Sequence, residues 1–323
     1  MRQLKVKMIK MRKPMLYIKS TDFATVFVTV LFMCCTFYSR AQTLNPLQSI
    51  YFQNQYLYNP ALAGMDDNIN INLAYRGQWT EFPGSPKTSS FTADFQPKEK
   101  VGLGIDIEED QAGLLTQTNI MGTYAYHVPL SDHNQKLNFG LSAGVFNSRV
   151  NYNDVVGQLP DNEIYLYNQI KPYFDGEFGV AYSSNNFSIG AAIPDLKTAF
   201  FKSSDEQFDV DRLEFIALAS YKIYLQNEDR NFVLEPVAGF RIVYGYNDIV
   251  DAGFKFTMEN YGLWLQTIYH SSQSVNVCVG FQTGIYAFSF AYNFESGSLV
   301  DYANGSYELG ITVKLGKNKK AAH

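Results

Sequence analysis

Residues 68–79, NININLAYRGQW, change side-chain character at nearly every step. Ile69, Ile71, Leu73, Tyr75 and Trp79 share one parity, while Asn68, Asn70, Asn72, Arg76 and Gln78 share the other. Successive side chains of a β-strand point to opposite faces. The spacing therefore predicts a strand that is oily on one side and amide-rich and charged on the other.

The pattern recurs. TSSFTADFQ (88–96) sets Ser89, Phe91, Ala93 and Phe95 against Ser90, Thr92, Asp94 and Gln96. VGLGIDIEE (101–109) opposes Val101, Leu103, Ile105 and Ile107 to Gly102, Gly104, Asp106 and Glu108. The final segment, 306–315, opposes Tyr307, Leu309, Ile311, Val313 and Leu315 to Ser306, Glu308, Gly310, Thr312 and Lys314. Between them the alternation predicts strands near 116–128, 136–147, 173–183, 186–193, 212–225, 232–244, 249–257, 261–269, 275–282 and 285–294, about fourteen in all. Pro236 falls inside the ninth and reads as a bulge, because proline donates no ladder hydrogen bond.

Two properties of these strands decide the kind of sheet. The polar parity carries full charges in mid-strand: Arg76, Asp94, Asp106, Asp175, Glu177, Arg241, Asp251 and Lys255. Buried unpaired in a soluble sandwich, each would cost several kcal/mol. The other parity is almost continuously apolar, and in water that much exposed oil would aggregate. A barrel in an outer membrane meets both demands, with lipid outside, a polar lumen inside and no open backbone edge. The expected fold class is all-β, an outer-membrane antiparallel β-barrel of about 14 strands.

Connection lengths agree. With the N-terminus on the periplasmic side, the even-numbered connections are short, the longest being PLSDHNQ (129–135). The odd ones include the three longest, 148–172, 194–211 and 295–305. Short periplasmic turns and long external loops are characteristic of such barrels.

The first 41 residues stand apart from this pattern. Seven Lys/Arg residues between Arg2 and Lys19 precede the apolar run ATVFVTVLFMCC (24–35) and the small-residue site Ser39-Arg40-Ala41. That order reads as a signal peptide cleaved after Ala41. Without it the chain carries 18 basic and 30 acidic residues, a formal charge of −12. Nucleic acid, which needs a cationic surface, is a disfavoured partner. Cys278 alone remains beyond the leader, so no intramolecular disulfide and no cysteine-based metal site is expected.

LQSIYFQNQYLYNPALAG (47–64) is neither alternating nor helical. Asn59-Pro60 favours an extended or turn geometry, and Gly64 ends the stretch. We expect this segment to lie inside or beneath the barrel as a plug. The expected organisation is a signal peptide over 1–41, a plug or periplasmic segment over 42–66, the transmembrane barrel over 67–316 and a tail over 317–323.

Several motifs resemble the PorP/SprF family of type IX secretion membrane proteins. The resemblance rests on Asn59-Pro60-Ala61 with Ala63-Gly64, then Tyr75-Arg76, Gln78-Trp79 and Pro83-Gly84-Ser85-Pro86-Lys87-Thr88. VGLGI (101–105), YAYHVPL (124–130), KLNFGLSAGV (136–145) and GSYELGI (305–311) extend it along the chain, more loosely between about 195 and 300. Tyr307 departs from the family, which is expected to have histidine there. The resemblance implies an outer-membrane protein without a cofactor or catalytic role. It also implies partners: a secreted adhesin-like protein with a C-terminal sorting domain, a periplasmic peptidoglycan-binding OmpA-like lipoprotein, and the ring proteins of the secretion motor.

Other chemistry is weakly encoded. GLSAG (140–144) matches the nucleophile elbow, but Ser142 sits in mid-strand rather than on a strand–turn–helix. His127, His133 and His270 show no acid partner at a supporting spacing. DDNIN (66–70) begins like a calcium loop, yet Ile71 stands where the turn demands glycine. Two readings of the charged lumen stay open: a stiffening network, or a cation path lined by Asp94, Asp106, Asp175, Glu177 and Asp251 as in a passive channel. In the longest odd connection, Leu159, Ile164, Tyr165, Leu166, Tyr167, Ile170 and Tyr173 are unusually apolar for an idle loop. They mark either a partner-docking surface or a cap over the barrel mouth.

Overall fold

A computed structural model describes residues 52–79, 84–131, 134–151, 167–169, 171–200, 213–227, 230–243, 247–295 and 305–316. All of them fall within one compact unit, Ala41–His323. The leader, residues 42–51 and the tail 317–323 lie outside the described residues.

The chain forms β1 (Asn68–Gln78), β2 (Lys87–Lys98), β3 (Val101–Ala112), β4 (Leu115–Ser131), β5 (Gln135–Val150), β6 (Tyr173–Ser183) and β7 (Phe187–Ile193). A short helix, α1 (Leu196–Phe200), follows. Then come β8 (Leu213–Tyr221), β9 (Ile223–Asn227), β10 (Arg230–Val243), β11 (Ile249–Met258), β12 (Leu263–His270), β13 (Ser274–Thr283), β14 (Tyr286–Glu295) and β15 (Ser306–Gly316). Neighbours pair antiparallel in chain order. The last strand returns to the first, with Asn68 facing Gly316 and Gln78 facing Ser306.

β8 and β9 are two halves of one stave, because both pair with the same face of β10. Counting them together, the sheet closes as a fourteen-stranded barrel. The interruption corrects one expectation. Val237 faces Ser220 and Leu234 faces Ile223, so the register is the same on both sides of the break. Pro236 therefore sits opposite a gap in the ladder, not a bulge: its missing N–H removes hydrogen bonding without inserting a residue. Lys222, at the break, turns its N–H to the Asn186 carbonyl, 2.7 Å away.

At one end the connections are 99–100, 132–134, 184–186, 228–229, 259–262 and 284–285, none longer than four residues. The 129–135 connection is shorter than the alternation suggests, since β4 continues through Pro129 to Ser131 and β5 begins at Gln135. The long connections gather at the other end, the external one by the asymmetry of such barrels.

Burial follows parity. Leu73, Tyr124 and Leu141 are 50%, 52% and 54% exposed, whereas inward-facing Arg76, Thr123 and Ser142 are buried. An outside covered with aliphatic and aromatic side chains and an inside of amides, hydroxyls and charges suit a cylinder immersed in lipid. Ile105→Arg places a cation on that outer surface. It is expected to lower barrel stability by about 2–4 kcal/mol when measured by denaturant unfolding in lipid, while Ile105→Leu stays near neutral.

Candidate functional site

The lumen is occupied by the chain's own N-terminal segment. Two 3-10 turns, Gln55–Tyr58 and Pro60–Leu62, are joined by Asn59, whose backbone is extended (φ −144°, ψ 103°) as the residue before proline must be. The Asn59 side chain works in both directions. Its Oδ1 accepts from the Ala61 N–H at 3.0 Å, capping the second turn. Its Nδ2 points to the carbonyls of Val180 at 3.3 Å and Ala191 at 3.4 Å, on adjacent staves.

Four glycines on three strands make room for this segment. A Cβ at Gly102 would overlap the Ala63 carbonyl, one at Gly104 the Tyr56 ring, one at Gly140 the Pro60 backbone, and one at Gly179 the Asn59 side chain. Gly64 itself has φ +65° and lies against the Phe95 carbonyl and the Gly102 backbone, a conformation and a clearance that favour glycine.

Polar contacts fix the segment's depth. The Tyr56 hydroxyl donates to Thr123 Oγ1 at 2.8 Å, and Thr123 in turn bonds Ser142 Oγ at 2.8 Å. The Gly64 N–H donates to Asp94 Oδ2 at 2.8 Å, and Asn70 Nδ2 joins it at 3.2 Å. His127 links the Ala63 carbonyl at 3.1 Å to Asn138 Oδ1 at 2.9 Å. Lys255 Nζ donates to Gln53 Oε1 at 2.7 Å, and Gln53 Nε2 to Gln266 Oε1 at 2.9 Å. Apolar contact completes the fit: Phe52, Leu57 and Tyr58 pack with Ala192, Ile216, Val237 and Ile268 on the inner wall. Toward the short-turn end a polar cavity of about 420 Å3 remains, bounded by Gln53, Tyr56, Asn70, Asp94, Glu235 and Lys255 among others.

Charges nearer the external end pair on the wall itself. Arg241 grips Asp251 with two hydrogen bonds, Nε to Oδ2 and Nη2 to Oδ1, each 2.7 Å. His270 Nδ1 lies 2.6 Å from the same Asp251 Oδ1, and all three side chains are sealed from solvent. Arg76 faces Glu308 across the β1–β15 seam. Thr88 Oγ1 donates to Asp110 Oδ1 at 2.5 Å. Asp106 points inward opposite Thr92, and Glu177 lies directly across from Ser142. Asp175 Oδ1 receives the N–H groups of Gly176 at 2.7 Å and Lys197 at 3.0 Å, which ties α1 to β6.

The remaining motif residues mark the seam and the external rim. Tyr75 faces outward with its ring 6.3 Å from that of Tyr307, so tyrosine at 307 keeps this position aromatic. The Gln78 N–H donates to the Pro86 carbonyl at 3.0 Å, and Lys87 faces Gly77 across the β1–β2 ladder. Trp79 has φ +46°, rare for a bulky side chain, and its Nε1 lies 3.3 Å from Glu295. Of the apolar loop residues, Tyr167 donates or accepts a 2.8 Å bond with Ser148, and the Tyr173 ring lies tilted 5.2 Å from that of Phe146 with Lys197 Nζ 3.3 Å above its own ring. Leu159, Ile164, Tyr165, Leu166 and Ile170 lie outside the described residues.

The hydrolase-like residues are engaged elsewhere. Ser142 bonds Thr123, and His127 is held by Ala63 and Asn138. His133 lies outside the described residues. His270 does have an acid partner, Asp251, nineteen residues away in sequence but adjacent across β11 and β12. Spacing along the chain does not reveal this pair, because it forms between strands. The glycine seat was also missed, although its signal is present: Gly102, Gly104, Gly140 and Gly179 all stand on the inward parity of strands otherwise lined by polar groups.

A closed antiparallel barrel, oily outside and filled by its own N-terminal turns, defines a plugged outer-membrane β-barrel protein. Within that class the chain belongs to the PorP/SprF family: the family's sequence model, described as "Type IX secretion system membrane protein PorP/SprF", matches residues 41–313. Solved barrels are distantly similar. The Pseudomonas putida toluene transporter TodX shares 10% identity over 82% of this chain and 94% of its own, with a TM-score of 0.44. Omp33 of Acinetobacter baumannii shares 7% over 78% and 99%, with a TM-score of 0.40. Outer membrane phospholipase A of Escherichia coli shares 6% over 76% and 92%, with a TM-score of 0.35. No curated protein matches the chain.

Two variants test the plug and the wall separately. Gly102→Val combined with Gly140→Val is expected to unseat the turns while the barrel still assembles. Planar-bilayer recordings then show a steady conductance that wild type lacks. Arg241→Met strands the buried Asp251 carboxylate and is expected to cost roughly 3–5 kcal/mol, read as a lower denaturant midpoint.

Proposed function

We propose that this barrel serves type IX secretion as a surface station that helps deliver secreted adhesin-like cargo and anchors it at the cell surface. The cargo carries a C-terminal sorting domain and engages the long external connections, with Leu159, Ile164, Tyr165, Leu166, Tyr167, Ile170 and Tyr173 as the docking surface. The opposite face contacts a periplasmic peptidoglycan-binding OmpA-like lipoprotein and the ring proteins of the secretion motor. In this reading the protein catalyses no reaction, and a leader peptide brings it to the envelope.

Family membership supports the secretion role. The observation that carries the choice between an anchor and a passive channel is the glycine-seated plug, which fills the lumen with Tyr56, Asn59, Pro60 and Ala63. A diffusion pore gains nothing from a segment fitted so closely to its wall.

Removing residues 155–170 tests the assignment. The shortened barrel is expected to keep its heat-modifiable migration on gels, while the cargo is lost from the surface into the medium. Cargo that stays on the cells would show that docking lies elsewhere.

A further inference from the structure

The polar cavity at the short-turn end, about 420 Å3, gathers lysines from three staves: Lys222 at the β8–β9 break, Lys255 on β11 and Lys314 on β15. Lys222 is exposed, and the other two are half-buried. Lys222 and Lys314 both lie within electrostatic reach of the Lys255 ammonium, so like charges that repel one another face a common space. The plug does not require this. Only Lys255 reaches it, through Gln53. The arrangement is also unexpected in a chain whose acidic residues outnumber its basic ones by 31 to 26.

Asp66, Asp94 and Glu235 line the same cavity, and each is already engaged. Asp94 Oδ2 accepts from the Gly64 N–H at 2.8 Å and from Asn70 Nδ2 at 3.2 Å. Asp66 Oδ1 accepts from the Asn68 N–H and from Asn70 Nδ2, both at 3.0 Å. Glu235 faces Lys255 across the β10–β11 ladder. The ammonium groups are less fully used. Each carries three donors; Lys255 gives one to a neutral amide, and among the described residues Lys222 and Lys314 have no ion-pair partner. What the cavity holds out to a ligand is therefore cationic. The rest of the lining describes the ligand's body: Ser188 and Ser220 offer hydroxyls, Gln55 and Asn186 amides, and Phe52 and Phe187 aromatic faces. The volume falls within the range of small-molecule sites, roughly 300–1,000 Å3. A compact anion with a hydroxylated skeleton uses all of these groups, whereas a metal cation would be repelled and an apolar molecule would strand them.

We infer that this cavity is a binding site for a small acidic sugar entering from the short-turn face, with Lys222, Lys255 and Lys314 holding its phosphate or carboxylate group. The serine hydroxyls and the amides meet the sugar's own hydroxyls, and the seated plug closes the inner end of the site. The inference goes beyond the secretion role and does not depend on where cargo docks.

The test uses the full chain in lipid nanodiscs, titrated in a calorimeter at low ionic strength with glucose 6-phosphate and with glucuronate, which separate a phosphate from a carboxylate ligand. At least one of the two is expected to bind saturably, glucose at least about ten-fold more weakly, and the binding to fade as sodium chloride is added. Lys222→Gln with Lys314→Gln is expected to weaken the tighter probe at least about ten-fold. Lys222→Arg with Lys314→Arg keeps both charges and is expected to stay within about three-fold of wild type. Glu235→Gln removes the carboxylate set among the ammonium groups and is expected to tighten binding at least about two-fold, a gain that a misfolded protein could not show. That variant decides the matter alone if the glutamine pair does not assemble. No binding of either acid, glucose bound as tightly as the acids, or an affinity unmoved by Glu235→Gln would each overturn the site. Sugar binding is expected to survive removal of residues 155–170, and its loss there would overturn the assignment to the short-turn end.

Discussion

In hydrocarbon a backbone N–H or C=O has no water to fall back on, so every one must find a partner within the chain. That constraint organises the molecule. It requires the sheet to close, and closure depends on the seam where β1 meets β15 over the full span from Asn68–Gly316 to Gln78–Ser306. Once closed, the two-residue period of the strand sorts every side chain to lipid or lumen. The gap opposite Pro236 shows how strictly the period is kept: the ladder lapses there, yet the same register resumes beyond it.

The interior behaves as a second core. A fourteen-stranded cylinder encloses more room than its own wall side chains fill. The N-terminal turns supply the missing volume, Phe52, Leu57 and Tyr58 supply apolar contact, and strand glycines give up their side chains so that backbone can approach backbone. Hydrogen bonds from Tyr56, Gly64 and Gln53 reach three separated regions of the wall, so the segment is held around the circumference and not along one line.

Much of this was legible before any coordinates. Alternation alone located all fourteen staves, because a wall with lipid on one side and water on the other writes its environment into every second residue. Mid-strand charges such as Arg76, Asp106 and Arg241 announced a polar interior for the same reason. The bonds among them were not legible. Arg241, Asp251 and His270 sit on three different strands, and which residues meet depends on registers set by the turns. The placement of Asn59 between Val180 and Ala191 was hidden likewise, since a segment without a period carries no sign of the wall it touches.

Only Met65, Asp66 and Asp67 separate Gly64, the last seated residue of the plug, from β1. The strand that completes the cylinder is thus tethered to the object the cylinder contains. Because β1 and β15 come from opposite ends of the folded chain, their union is the most distant pairing in sequence and the costliest in loop entropy. The three-residue link fixes the C-terminal end of the insert at the mouth where β1 begins, so any displacement of the insert pulls directly on the strand that closes the cylinder.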